Sequence, residues 1–421
     1  MKKAISVLLI LVSIFLISSC GAAAPENKST IELNEFKEKI DLGEKFKVKY
    51  TTDPIDARVK FETSNPKIAT VSITGVVEGI SVGTATITLR LVDDVSVSAS
   101  FTVKVGIDFG EMDLSDIPLD EELWPVRELE KGSDEEAIYM ALREKVAQIA
   151  RGKENSTVIN VSNIPLKSPE TDGVQILRVM GLLWLSCPFD LYWYEEQSGF
   201  YFDYSYSGSS LNLTIKMPVS QDYRKGQYEI DENKKVVALK ALQNAIKIAD
   251  EATGSDYDKI MYFKNKICEL VKYDTASNND QIKGKIKAGN NPWQMVSVFD
   301  NNTSTNVVCA GYSKAFKYLC DRAGIECKVV NGVCGGAHVW NVVTLEGKNY
   351  IVDVTNCDSG SSGFPDKLIL VGAEGSIADG YKALGTPMVY RYYTAKDSGV
   401  TDMEFVFGTS GLIISNTSYE R

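Results

Sequence analysis

Histidine is almost absent from this chain: His338 is the single one in 421 residues. Any thiol–imidazole pair must use that ring. Basic clusters are missing as well. The 45 Lys and Arg are outnumbered by 56 Asp and Glu, for a net charge of −11, and no run of Lys or Arg forms a phosphate-binding stripe, which excludes nucleic acid as the expected partner. The same acidity disfavours electrostatic adhesion to anionic lipid. The one long apolar run, Ala4 to Ile17, is too short for a membrane span. Close C-x₂₋₄-C pairs are lacking around Cys320, Cys327 and Cys334, which argues against a zinc cluster there. No EF-hand loop occurs, and neither metal nor cofactor is called for.

The chain opens as an export signal. Lys2 and Lys3 give a charged start, the apolar run follows, and Ser18-Ser19-Cys20 closes it. Ile17-Ser18-Ser19-Cys20 resembles the bacterial lipoprotein signal, which implies that residues 1–20 carry the signal and lipobox. Cys20 would then be lipidated and anchor the mature chain on the extracellular face of the cell membrane or on the cell surface. Ordinary signal cleavage near Ala22 to Ala24 is the alternative, since it uses the same small residues. Residues 21–30 are small and polar, as in a flexible tether. Membrane contact is expected through the anchor alone.

About 400 mature residues exceed what one core usually organises, so a multidomain chain is expected. Residues 31–106 show short alternating runs such as Phe46–Tyr50, Thr84–Leu89 and Phe101–Val105, with turn signals between them, the pattern of an all-β sandwich. The phrases Thr63-Ser64-Asn65-Pro66-Lys67-Ile68-Ala69-Thr70-Val71, Gly75-Val76-Val77-Glu78-Gly79 and Gly83-Thr84-Ala85-Thr86-Ile87 resemble the bacterial immunoglobulin-like domain of group 2. That resemblance implies a spacer, or a module that binds a surface carbohydrate or protein ligand; it does not decide which.

Residues 107–132 read as a linker in which Leu123-Trp124-Pro125 is suited to docking on a neighbour. An α+β region follows over 133–254. Ser133 with Glu136 predicts a capping box, and Ile138, Leu142, Val146 and Ile149 recur at helical spacing. From Val158 to Ser220 the composition predicts strands and a hairpin around Ser207-Gly208-Ser209-Ser210, with aromatics that either fill a core or form a carbohydrate- or peptide-binding face. Two amphipathic helices are expected next, one through Leu239, Leu242, Ile246 and Ala249, the other through Ile260, Phe263, Ile267 and Leu270. Thr275 to Asp280 reads as a polar loop.

The chemistry lies in 255–421. Cys309 precedes a helical pattern in which Tyr312, Phe316, Leu319 and Ala323 share a face that ends at Gly324. At a helix N-terminus the unpaired N–H groups and the dipole stabilise a thiolate, and the same groups can hold an oxyanion. His338 lies where the glycine stretch Gly335-Gly336 runs into an apolar strand. Asp353 stands in the centre of a predicted strand over Asn349–Thr355, where a carboxylate among Ile, Val and Val needs a partner. Paired with His338 it would fix the ring's tautomer and stabilise the imidazolium. Outside Cys20 and Cys309 six cysteines remain, an even number that permits disulfides without fixing a pairing.

The runs Val-Cys309-Ala-Gly-Tyr, Gly-Ile-Glu-Cys327, Ala-His338-Val-Trp-Asn and Tyr-Ile-Val-Asp353-Val-Thr resemble the core of the transglutaminase-like superfamily, over roughly Ser255 to Asp358. The resemblance implies a papain-like α+β fold and a catalytic Cys309, His338 and Asp353. Asn291-Pro292-Trp293-Gln294 is similar to the segment that supplies an oxyanion-hole side chain in papain-like enzymes, which makes Gln294 the candidate donor. Two departures, Asn349 and Asn356-Cys357 in place of usual aromatics, are expected to touch packing or substrate walls rather than the triad. The expected activity is acyl transfer from peptide, protein or cell-wall peptide amides, by hydrolysis or by amine crosslinking. The alternative is a catalytically silent surface protein whose domains bind a partner. The tail from Ser359 to Arg421 keeps strand signals at Leu368–Val371 and Met388–Tyr393 and should complete the sheet.

Overall fold

The computed structural model describes residues 29–41, 43–80, 83–106, 129–168, 173–282, 291–302, 305–359, 364–376, 380–393 and 411–421. The export signal with Cys20, most of the tether and most of the linker, Leu123-Trp124-Pro125 included, lie outside the described residues. The chain forms two compact units that divide at Val105 and Gly106.

Alternation builds the first unit. Ala85, Ile87 and Leu89 are buried along Gly83–Leu91, and Phe101, Val103 and Val105 along Ser98–Gly106, where Thr102 and Lys104 are exposed. That is the period of strands with one face on a core. The two pair at the centre of a four-stranded sheet ordered Lys39–Asp41, Ser98–Gly106, Gly83–Leu91, Val59–Thr63. A three-stranded sheet of Lys45–Lys47, Val76–Gly79 and Ala69–Val71 supplies Val77 and Ala69 to the same apolar cluster.

The second unit has one principal core. It runs from Ile138 through Leu242 and Phe263 to Leu319 and Leu370, so residues 133–254 and 255–421 are not separate bodies. Helix Asp134–Ala150 begins at Ser133, whose Oγ accepts the Glu136 N–H at 3.1 Å. Glu136 reaches back to the Gly132 N–H, so the capping exchange is displaced by one residue. Helices Glu232–Glu251 and Asp256–Leu270 bury the expected Leu239, Leu242, Ile260, Phe263 and Ile267.

Two stretches depart from expectation. Gly173–Ser186, inside the region read as strands, is a helix. It buries Ile176, Val179, Met180, Leu182, Leu183 and Leu185, and a segment this apolar lacks the polar stripe that betrays a helical period. Thr275–Ile282 is a helix rather than a loop. Asp274 starts it by accepting the Ser277 N–H at 2.8 Å and the Ser277 hydroxyl at 2.6 Å, a side-chain cap that a polar sequence hides.

A seven-stranded sheet carries the tail as foreseen. Its order is Ile369–Val371, Lys348–Val352, Ala337–Leu345, Cys327–Val333, Val389–Tyr392, Gly380–Ala383, Ala373–Ser376. The strand Val389–Tyr392, distant in sequence, lies beside Cys327–Val333 near its centre, with Gly332 opposite Tyr392 and Val333 opposite Arg391. Only glycine permits this approach, since a Cβ on Gly332 would lie 2.1 Å from the Arg391 carbonyl oxygen and 2.7 Å from the Trp340 ring. Among the described residues no helix is long and apolar enough to cross a membrane.

Candidate active site

Cys309 is the first residue of the helix Cys309–Arg322, and Val308 before it is extended with no side chain capping the turn. The first-turn N–H groups are therefore left for a ligand. The approach is clamped: Val307 bridges Tyr273, and Val308 N–H donates to the Pro292 carbonyl at 3.0 Å. Gly311 makes room for that contact, because a Cβ there would sit 2.6 Å from the Pro292 oxygen and 2.7 Å from Val307 Cβ. One turn on, Ser313 Oγ donates to the Val339 carbonyl at 3.0 Å while Asn341 Nδ2 donates to the Ser313 carbonyl at 3.0 Å. These bonds hold the cysteine helix against the histidine strand.

His338 opens that strand, Ala337–Leu345, behind the exposed Gly335, Gly336 and Ala337. Its ring stacks on Trp340 at 5.9 Å and 20°. Nε2 lies 2.9 Å from Asp353 Oδ2, and the Cys309 thiol is within hydrogen-bonding reach of the ring. Burial alone would make the imidazole a weaker base; the Asp353 carboxylate and the Cys309 sulfur outweigh it and push the ring's pKa up to about 10. Burial would raise the Asp353 carboxyl, but His338, Asn356 and Tyr390 bring it below the usual carboxylate value. The pair is therefore imidazolium and carboxylate at neutral pH.

Asp353 does not sit in mid-strand. The strand ends at Val352, and Asp353 caps the one-turn helix Val354–Cys357, accepting the Asn356 N–H at 3.1 Å. A short polar side chain at a strand end favours such a cap over further extension. The turn brings Asn356 onto the His338–Asp353 pair, where it was expected to touch packing or a substrate wall: its Nδ2 donates to Asp353 Oδ2 at 2.8 Å and lies 3.5 Å from His338 Nε2. Tyr390 donates its hydroxyl to the same oxygen at 2.7 Å. Asn349 keeps to packing, donating to the Ile413 carbonyl at 2.9 Å.

Gln294 is placed otherwise than expected. It is wholly buried, and its amide nitrogen is taken up by the Tyr194 carbonyl at 3.4 Å and Glu196 Oε1 at 2.6 Å, not left for an oxyanion. Its Oε1 accepts from Lys314 at 3.0 Å, and Lys314 pairs with Glu196 and lies over the Trp184 ring at 4.6 Å. Burial lowers the Lys314 pKa, and Glu196 opposes that. A buried amide between two opposite charges satisfies both, so the segment around Gln294 braces the cysteine helix. Nothing in the local sequence pairs Glu196 with Lys314.

The seven described cysteines are free thiols. Cys320 and Cys327 face each other in the core while Cys334 lies beside Tyr390, so the three do not converge. The aromatics near 200 divide between core and surface. Phe200 and Phe202 pack on the core, whereas Tyr201, Tyr204 and Tyr206 are exposed.

Comparison with known proteins finds two separate family matches. Residues 35–103 match the model of the bacterial Ig-like domain (group 2), and residues 245–353 match that of the transglutaminase-like superfamily. The human kyphoscoliosis peptidase is 25% identical over 133 residues, 28% of this chain and 19% of that protein; the chain thus spans about a fifth of this relative. The crystal structure of a TGase aligns over 39% of this chain and 47% of that one, at 16% identity and a TM-score of 0.27. A putative cysteine protease from Cytophaga hutchinsonii aligns over 48% and 70%, at 13% identity and a TM-score of 0.22.

Proposed function

We propose that this chain, in which a group 2 bacterial Ig-like domain is followed by a transglutaminase-like domain, is an acyl-transfer enzyme acting on peptide or protein amides at the cell surface. The observation that carries the reading is the contact of the chain's single histidine with a buried carboxylate on one side and a helix-starting thiol on the other. In this reaction the Cys309 sulfur attacks the amide carbonyl carbon. The oxyanion rests on first-turn N–H groups. The C–N bond breaks as His338 passes its proton to the leaving amine, and a thioester remains. Water then adds to release the acid and restore the thiol, or a primary amine adds to give a new amide.

Hydrolysis is the favoured outcome, in line with the peptidase relative. Lipidation of Cys20 would hold the enzyme at the outer face of the membrane, with the Ig-like domain as spacer or as binder of a surface carbohydrate or protein. Trapping tests the reading: mature protein and Cys309→Ala are incubated with glutamine-peptide and wall-peptide libraries, with and without a primary amine, and adducts are followed by mass spectrometry. An adduct on Cys309 that the variant lacks is the expected result, and release as acid marks a hydrolase. A folded protein that forms no adduct across both libraries would leave a binding protein instead.

A further inference from the structure

Three donors converge on one carboxylate oxygen. Asp353 Oδ2 receives His338 Nε2 at 2.9 Å, Asn356 Nδ2 at 2.8 Å and the Tyr390 hydroxyl at 2.7 Å, while Oδ1 receives the Asn356 backbone N–H at 3.1 Å. Tyr390 comes from Val389–Tyr392, outside the segment matched to the superfamily. Its ring is wholly buried, 4.9 Å from Trp340 and stacked on Tyr381 at 5.9 Å and 19°, so the hydroxyl has a fixed position. Burial and the neighbouring carboxylate push the phenol well above its usual pKa, and a phenol that keeps its proton can meet an ionised carboxylate only as a donor.

We propose that Tyr390, assisted by Asn356, is a positioning residue: it fixes the plane of the Asp353 carboxylate and draws off part of its charge, so that the imidazolium of His338 is oriented yet free to surrender its proton to the leaving amine. The inference rests on the catalytic reading of Cys309, His338 and Asp353. With Asp353 alone, the full negative charge would fall on the ring and hold the proton too tightly for a general acid. Two further donors on the same oxygen relieve that. The other titratable groups around the pair are the Cys309 thiol on the ring, the Cys334 thiol beside Tyr390 and the Cys357 thiol near Asp353, both of which burial pushes up to about 12, and Tyr273, which burial also raises. The last three stay neutral near pH 7 and do not compete for the carboxylate.

The test uses wild type, Tyr390→Phe and Asn356→Ala. Tyr390→Phe keeps the ring packing, and Asn356→Ala removes the other donor from a half-buried site. The His338 ring proton resonance is titrated without substrate, and kcat and KM are measured on an acyl donor trapped as above. Both variants should move the His338 midpoint upward, and Tyr390→Phe should lower kcat roughly 10-fold with little change in KM, the split expected when orientation rather than binding is lost. A fall in kcat with an unmoved midpoint would mean a packing role and overturn the inference, as would a moved midpoint with unchanged kcat. Should wild type turn over no acyl donor, the catalytic reading fails by itself, and an unmoved midpoint in both variants would refute Tyr390's hold on the pair independently.

Discussion

His338 gives the only imidazole signal in any proton spectrum of this chain, which turns the electrostatics of its pair with Asp353 into a direct measurement. The ring should stay protonated through neutral pH and release its proton near pH 10, far above an ordinary histidine. Because the folded value lies above the unfolded one of about 6.5, the pair's contribution to stability is complete below that pH and is lost as pH rises toward 10. Asp353 runs the other way: its lowered value contributes above the usual carboxylate range and is lost as pH falls. Denaturant melts of wild type and His338→Gln should therefore differ most between the two limits and converge at high pH. A difference that stays constant from pH 6 to 10 would refute the ion pair.

At the scale of elements, the cysteine helix is seated by contacts that tolerate little change. Gly311→Ala would press a methyl against the Pro292 carbonyl and Val307. Overpacking of this kind costs about 1–3 kcal/mol, and the shift should also displace Cys309, so labelling by iodoacetamide should slow together with the loss of stability. Glu196→Gln would leave Lys314 buried without its carboxylate, at a cost of about 3–5 kcal/mol. Adding Lys314→Met should restore most of that, since the orphaned charge goes with it. A double variant as unstable as the single would place the effect elsewhere.

How much of this was legible beforehand depended on range. Cys309, His338 and Asp353 sit in short runs whose residue types announce that they should meet, and Ile87, Val103, Leu142 and Phe263 sit at periods that announce burial. The helix Gly173–Ser186 was hidden because it is apolar nearly all round. Tyr390 and the Glu196–Lys314 brace were hidden for another reason: Tyr390 meets Asp353, and Glu196 meets Lys314, only after distant segments are folded together, and no local pattern encodes that.

For the whole molecule, the two units keep separate apolar clusters among the described residues. Ile87, Val77 and Phe101 belong to one, and Leu242, Phe263 and Leu319 to the other. Calorimetry should show two transitions, and removal of residues through 105 should abolish one while leaving the midpoint of the other in place. A single transition that shifts on removal would mean that the cores are thermodynamically coupled. The place of Val389–Tyr392 within the seven-stranded sheet has a consequence in time. A polypeptide is made from its N-terminus, so Cys309 and His338 emerge well before the strand that brings Tyr390 to Asp353. Until that strand slots in, Asp353 lacks its Tyr390 donor and Gly332 and Val333 lack their strand partner, so this part of the site can close only after the chain has been made almost to its end.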